Sequence, residues 1–453
     1  MTLDFGSKLV SKLGSPDSKI PLGIKDTFNS TGYTYFSYGA GGSVEGKDRF
    51  VDEVGTGAIW LFGIPFYKKL VDKTIFPRLG ISPDIDVRVV KDKKYLNLAI
   101  KSAPNDEILQ ELKYAGKNVG KTKALALAKF GISMGLTMLS YFGLTKLKQK
   151  MTRLNIEKEF NEKMKAASLT EQPDKNGSAN KKPDIFADFT QFGNTKKSKN
   201  NPSFGSAAKV AEEFMLNPVK NMIILDVGIT GERLSNARTD GEFKEYAIKE
   251  GSFLFFVYCA DKLIKQGLET ASQKFLKMPI SLDAQFLSGN MAEDILKNKE
   301  MQNQVKDFGR QFAENKDTNK LYEFIFKNQN HTVVKAAKES GIIETVTDKS
   351  GNIKIDTGKY IDPDKMKELA KNLDDYIELS KNSTDIKKYL NKVRNLKVAS
   401  TFLSIGACCF SLGYLAPKYI YESRHKRQDG SSDFHVRTEY EKELAAKAAQ
   451  KTV

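Results

Sequence analysis

Two stretches stand out from the mixed pattern of apolar and polar positions along the chain. Residues 398–417 (VASTFLSIGACCFSLGYLAP) carry no charge, with Lys397 before them and Lys418 after. A helix needs about 20 apolar residues to cross the ~30 Å hydrocarbon layer of a bilayer, and this stretch supplies them. Its small residues Ser404, Gly406, Ala407, Ser411 and Gly413 suit the close helix–helix approach that drives association in lipid. A core helix of a soluble protein is the competing reading, but such a helix ordinarily shows a polar face. Residues 124–145 (ALALAKFGISMGLTMLSYFGLT) echo the first stretch, with Lys129 as their one charge. Two shorter apolar runs lie at about 54–71 and 246–266. The first reaches spanning length only if Lys68, Lys69 and Lys73 extend toward the surface, and Pro65 would kink it.

The order of these features predicts a tandem duplication, 30–150 and 220–422. Ser133, Gly135, Ser140 and Leu144 fall on Ser404, Gly406, Ser411 and Leu415 when the two long stretches are superposed. Upstream, Gly39 and Gly42 match Gly228 and Gly231, Phe50 matches Phe243, and Lys69-Leu70 match Lys262-Leu263. Ile81-Ser82-Pro83-Asp84 matches Ile280-Ser281-Leu282-Asp283. Each match is faint, and their common order carries the inference.

Between these features the pattern is polar. Residues 1–30 read as a polar N-terminal segment. Tyr33 to Tyr38 (YTYFSY) suggest a strand or an aromatic interface segment. Gly39, Gly41 and Gly42 then break the chain, and a helix is expected from near Asp48. Residues 85–90 alternate with period 2, as in a strand. Residues 151–215 are a charged linker, flexible by composition. A soluble insertion is expected at about 290–395, with helical blocks at 291–326 and 364–393. A β-hairpin lies between them, turning at Asp348-Lys349-Ser350-Gly351. Residues 423–453 form a charged tail. The first 25 residues lack the apolar core of a cleavable signal peptide.

Composition adds a direction to this picture. The 453 residues include 72 Lys+Arg against 56 Asp+Glu, a formal net charge of +16. That excess favours anionic partners, either nucleic acid or anionic lipid head groups. Phe186, Phe189 and Phe192 of the basic linker stand in a block apart from its lysines and do not interleave with them in the manner suited to base stacking, so lipid is the expected partner. Cys259, Cys408 and Cys409 lie in apolar stretches without metal-ligand spacing and read as packed hydrophobes. His331, His425 and His435 have no acid or Cys at ligand spacing, which excludes metal and triad chemistry from the expectation.

Three sites carry candidate chemistry. Residues 115–122 (AGKNVGKT) fit a relaxed phosphate-binding loop, with Gly120, Lys121 and Thr122 as the nucleotide candidates and 222–226 as the metal-holding strand. Such a loop should follow a buried strand, whereas 107–114 pattern as a polar helix. A lysine-rich juncture at a membrane surface is the plainer reading. Lys129 is the charge inside a span, a functional candidate by default that snorkelling explains equally. The acids Asp52 and Glu53, set against Glu245 and Glu250, either face one position near a pseudo-axis or are helix N-terminal acids.

The expected molecule is therefore mainly α-helical: a multi-pass integral membrane protein with two apolar helices per half and a soluble α insertion bearing a β-hairpin. A structural or membrane-organising role without a catalytic site, cofactor or metal is expected first. A small transporter or channel on a pseudo-two-fold axis is the alternative, and a nucleotide-binding protein using 115–122 the second.

Overall fold

A computed structural model describes residues 2–15, 18–76, 85–168, 217–237, 240–313, 317–348, 350–381, 383–426 and 444–446. The described chain is mainly helical. Its first half contains α1 (Thr2–Gly14), α2 (Ile20–Thr74), α3 (Val87–Lys91), α4 (Lys93–Lys101), α5 (Asp106–Lys117) and α6 (Val119–Ser168). The second opens with α7 (Pro218–Ser235) and α8 (Asp240–Leu254), which runs through π-helical turns at Phe255–Ala260 into α9 (Asp261–Ala271). There follow α10 (Ala284–Ser288), α11 (Asn290–Lys297), α12 (Lys299–Phe312), α13 (Thr318–Lys327) and α14 (Thr332–Glu339). Strands β1 (Thr345–Thr347) and β2 (Ile353–Ile355) precede α15 (Pro363–Ser380) and α16 (Ile386–Phe410). The last continues through Ser411–Leu415 into α17 (Ala416–Lys426).

Residues Ile20–Thr74 are helical from end to end, yet they do not form one rod. Ser30 Oγ donates to Glu53 Oε2 at 3.2 Å, although the two are 23 positions apart. A straight helix at 1.5 Å per residue would hold them ~34 Å apart. A Cβ added at Gly57 would lie 3.1 Å from Asp26 Oδ2, and one at Gly46 would lie 2.3 Å from the Tyr38 ring. The chain therefore doubles back between Tyr38 and Gly46. The expected break at Gly39, Gly41 and Gly42 falls at this reversal, but its flanks are helices. The YTYFSY stretch is helical, not a strand, because its aromatic residues pack against helices: Tyr33 is buried with Ile420 and Tyr421. The second arm extends beyond the expected start near Asp48, since it already pairs with the first arm at Gly46.

Helices α7 and α8 make a second hairpin. Asn217 caps α7 by accepting from Val219 N–H at 2.8 Å, with Pro218 in the first turn. Arg233 of α7 bonds to Glu250 of α8, and Asp226 to Tyr258. Those pairs set the two helices side by side. Gly39 and Gly42 thus lie at a reversal, while their sequence matches Gly228 and Gly231 lie inside α7.

The two hairpins, α6 and α16 assemble into one bundle. Helix α6 runs antiparallel to the second arm of α2: Lys129 meets Asp72, Ser140 Oγ meets Tyr67 Oη at 2.7 Å, and Thr152 meets Asp48. Helix α16 runs beside the first arm, from Thr401 near Gly14 to Gly413 against Gly32. Both long helices therefore point toward the hairpin tips. Helix α6 passes the level of Asp48 at Thr152 and stays helical to Ser168. Arg233 is at that same end, and Val219, about four turns earlier, packs on the core holding Leu22 and Ile64. The chain leaves its first half at the tip end and rejoins the bundle at the other.

At that other end sits a domain with its own apolar core. The core joins Val89, Tyr95 and Leu112 from the first half to Phe286, Phe308, Val333 and Tyr376 from the second. Tyr95 shows how tightly they join: its hydroxyl donates to Lys359 O at 3.2 Å and accepts Ile361 N–H at 3.1 Å. Burial of that hydroxyl pushes its pKa up. The 290–395 insertion therefore shares its core with 85–117 and does not close a core by itself. The period-2 run at 85–90 leads into α3 and is not a strand. Asp86 caps that turn by accepting from Arg88 N–H at 2.8 Å, and Val87, Val89 and Val90 are all buried, so both sides of the run face protein. The expected β-hairpin is present, with Thr345 opposite Ile355 and Gly351 at a φ of 82°, a left-handed value that glycine adopts freely.

His331 supplies a pH-sensitive cap here. Its Nδ1 accepts Val333 N–H at 3.3 Å at the start of α14, and its ring lies 4.9 Å from Phe324. Burial lowers its pKa, with Asp307 pulling weakly the other way. A base with a lowered folded pKa contributes stability above its unfolded value, near 6.5, and loses it as pH falls toward the folded value. We expect the domain to lose stability on acidification from pH 7.5 to 5.5. His331→Asn, which keeps a capping oxygen, should flatten that loss in thermal melts followed by α14 hydrogen exchange.

Candidate functional site: a buried ion-pair cluster at the hairpin tips

The bundle carries its charge inside. Helix α2 contributes Asp48, Arg49, Asp52 and Glu53, whose spacing sets them on successive turns. Helix α6 adds Lys148, α7 adds Arg233, and α8 adds Lys249 and Glu250. All eight side chains are buried. Asp52 sits at the centre. It accepts from Arg233 Nη2 at 3.2 Å, and Lys148 Nζ and Arg49 Nη1 approach it at 3.6 and 3.8 Å. Arg233 also bonds to Glu250 and, at 3.1 Å, to Thr56 Oγ1. Lys249 bonds to Glu53 and lies 3.9 Å from Glu250. Asp48 accepts from Thr152.

The group sets four cations among four carboxylates and is formally neutral. Aromatic faces complete the shell. Arg49 and Lys148 each lie 5.8 Å from the Tyr246 ring centre, Arg233 lies 5.7 Å from Tyr141, and Lys249 lies 5.1 Å from Tyr33. Such placements add cation–π attraction where water is excluded. Removing ions from water costs several kcal/mol each, which only well-made pairs offset. The cluster therefore forms only when both hairpins and α6 are docked together.

A second polar layer lies deeper in the bundle. Lys25 is buried and pairs with Asp261 at 3.1 Å, while donating to Val257 O at 3.2 Å. Asp261 also holds Lys265 at 3.0 Å and accepts from Ser404 of α16. Asp226 accepts from Tyr258 close to Trp60. Among the described residues no group of three or more His, Cys, Asp or Glu side chains could hold a metal ion. Asp52, Glu53 and Glu250 of the cluster lie against cations. The arrangement can lock helices together or, if its pairs exchange, gate a path between them.

The sequence candidates fare differently. Asp52, Glu53 and Glu250 do converge, and Glu245 is buried on the same helix as Glu250. Lys129 pairs with Asp72 at 2.5 Å and lies 5.4 Å from the Phe76 ring, at the opposite end of the bundle. Gly120, Lys121 and Thr122 occupy the first turn of α6. Helix α5 ends at Lys117 and only Asn118 separates the two helices, so no strand precedes the 115–122 motif. Residues 222–226 are helical as well. The cations Arg49, Lys148, Arg233 and Lys249, and the Lys25–Asp261 pair, were not singled out by the sequence. The available signal was a charge at the edge of, or inside, each apolar run. Cys408 and Cys409 are buried, as expected of packed hydrophobes, whereas Cys259 is exposed. His425, His435 and the 151–215 linker beyond Ser168 lie outside the described residues or side chains.

The chain matches no family model, no curated protein and no solved structure.

Proposed function

We propose that the chain is an integral membrane protein with a structural, membrane-organising role, its bundle anchoring the domain built from 85–117 and the 290–395 insertion. The observation that carries this reading is the inverted polarity of the bundle. Two helices are long and apolar enough to cross a bilayer, yet only 17% and 33% of their most apolar windows are buried. Large apolar side chains are exposed around the circumference: Leu139 and Phe142 on α6, Phe62 and Phe66 on α2, Phe255 and Leu263 in the second hairpin, Phe402 and Phe410 on α16. A belt of this extent is unfavourable in water and favourable in lipid. Buried ions inside an apolar exterior fit the same environment.

The repeated order of elements (hairpin, soluble helices, long apolar helix) supports the tandem duplication, with both copies pointing the same way. In that arrangement each half presents a helical hairpin and one long apolar helix to the bilayer. Anionic head groups are the partner this reading implies, given the net charge of +16. The test is carbonate extraction. The protein is expected to remain in the membrane pellet, and release into the supernatant would sink the proposal.

A second reading, ion or solute passage, is favoured by one observation: the Lys25–Asp261 pair lies between the hairpins at the level of the apolar belt. Flux through proteoliposomes that Lys25→Met abolishes would select it. The organising role predicts no flux.

A further inference from the structure

A groove of about 640 Å³ opens on the side of the bundle between α1, the first arm of α2, and α16. Its walls include Ile24, Phe28, Phe402, Gly406 and Cys409, and its floor is the contact of Gly32 with Gly413. We propose that this groove holds one acyl chain of a membrane phospholipid, seated with its head group toward Lys418; the proposal rests on the membrane reading above.

The chemistry of the walls selects the occupant. Thr31 lines the groove, but its hydroxyl already donates to Thr27 O at 2.8 Å. The Tyr414 hydroxyl accepts from Lys418 Nζ at 3.4 Å. Besides Thr31 and the Tyr35 and Tyr414 hydroxyls the lining is apolar, so a polar ligand along the floor would lose its hydration with little compensation. An apolar chain loses nothing there. The groove is also continuous with the lipid-facing belt, because Phe28, Phe402 and Phe410 line it and are exposed beside it. Lys418 stands one turn beyond Tyr414 at the tip-side rim, where it is exposed and 3.6 Å from Glu422. A lysine at that height complements a phosphate head group.

Gly406 gives a direct handle. Nothing lies within 4 Å of a Cβ built on it, so a side chain there enters the groove without displacing protein. Gly131 on α6 is equally open and lies away from the groove. The full chain is reconstituted in phosphatidylcholine–phosphatidylglycerol vesicles containing a phospholipid with a photoreactive acyl chain, and cross-linked peptides are mapped. Adducts should concentrate on peptides covering 24–36 and 402–414. Gly406→Trp, and the smaller Gly406→Leu, should lower them several-fold, while Gly131→Trp should leave them unchanged. Adducts spread evenly over the belt, or indifferent to both Gly406 variants, would overturn the proposal. Failure to float with the vesicles would instead refute the membrane reading itself.

Discussion

Arg233→Met should destabilise the protein by about 3–5 kcal/mol, the usual cost of removing one partner from a buried ion pair. The loss is large because Arg233 serves two acids from different hairpins. Without it, Glu250 keeps only Lys249 at 3.9 Å, and Asp52 keeps Lys148 and Arg49 at 3.6 and 3.8 Å. A methionine fills much of the volume, so the measurement isolates charge from packing. Thermal unfolding in detergent, followed by protease resistance of the bundle, reads the effect. The double variant Arg233→Met/Glu250→Leu removes one stranded carboxylate and should recover part of the loss. A loss below about 1 kcal/mol, the range of solvated pairs, would mean that the cluster is hydrated and does not lock the hairpins.

The second large effect is expected at Gly32. A Cβ there would sit 2.0 Å from the carbonyl oxygen of Gly413 and 2.6 Å from its carbon. Backbone atoms cannot rotate away as a flexible side chain would. Gly32→Ala therefore pushes the first arm of α2 off α16, at about 3 kcal/mol, the upper part of the overpacking range. Gly406→Ala, three residues before Cys409 on the same helix, meets open space and should be nearly neutral. If the two variants melt together, the close crossing of these helices is absent. Separation of the helices at Gly32 would also weaken the Lys25–Asp261–Ser404 contact, since that contact ties the same elements.

How much of this was legible in the sequence depends on how far apart the partners are. The stretches at 124–145 and 398–417 could be read directly, because uniform apolarity over a span's length needs no knowledge of neighbours. The β-hairpin at 345–355 was legible for a similar reason: its turn residues are local. The helical hairpin in Ile20–Thr74 was half legible. Its glycines marked a reversal, but the aromatic run before them has strand-forming residues and becomes helical only because the second arm and α17 pack against it. The ion cluster was least legible. Asp52 and Arg233 are 181 positions apart, and among 72 Lys and Arg residues nothing local distinguishes the four that enter the cluster. Likewise, the insertion looked self-contained because its core partners, Tyr95 and Leu112 among them, lie some two hundred positions upstream.

In the membrane reading, a hairpin and one long helix per half would make an odd number of passes, and that would govern how such a chain enters a bilayer. The first half ends at the tips with α6, while α7 begins at the opposite face with Pro218. Residues 169–216 contain no apolar run able to cross. Stepwise threading in order of synthesis would thus start the second half in the wrong compartment. In the membrane reading we expect biogenesis to run the other way: the halves dock through Asp52 and Arg233 first, and lipid closes around the finished bundle afterwards. Completed chains released from the ribosome should then gain carbonate resistance on meeting preformed vesicles, and chains halted at residue 215 should not.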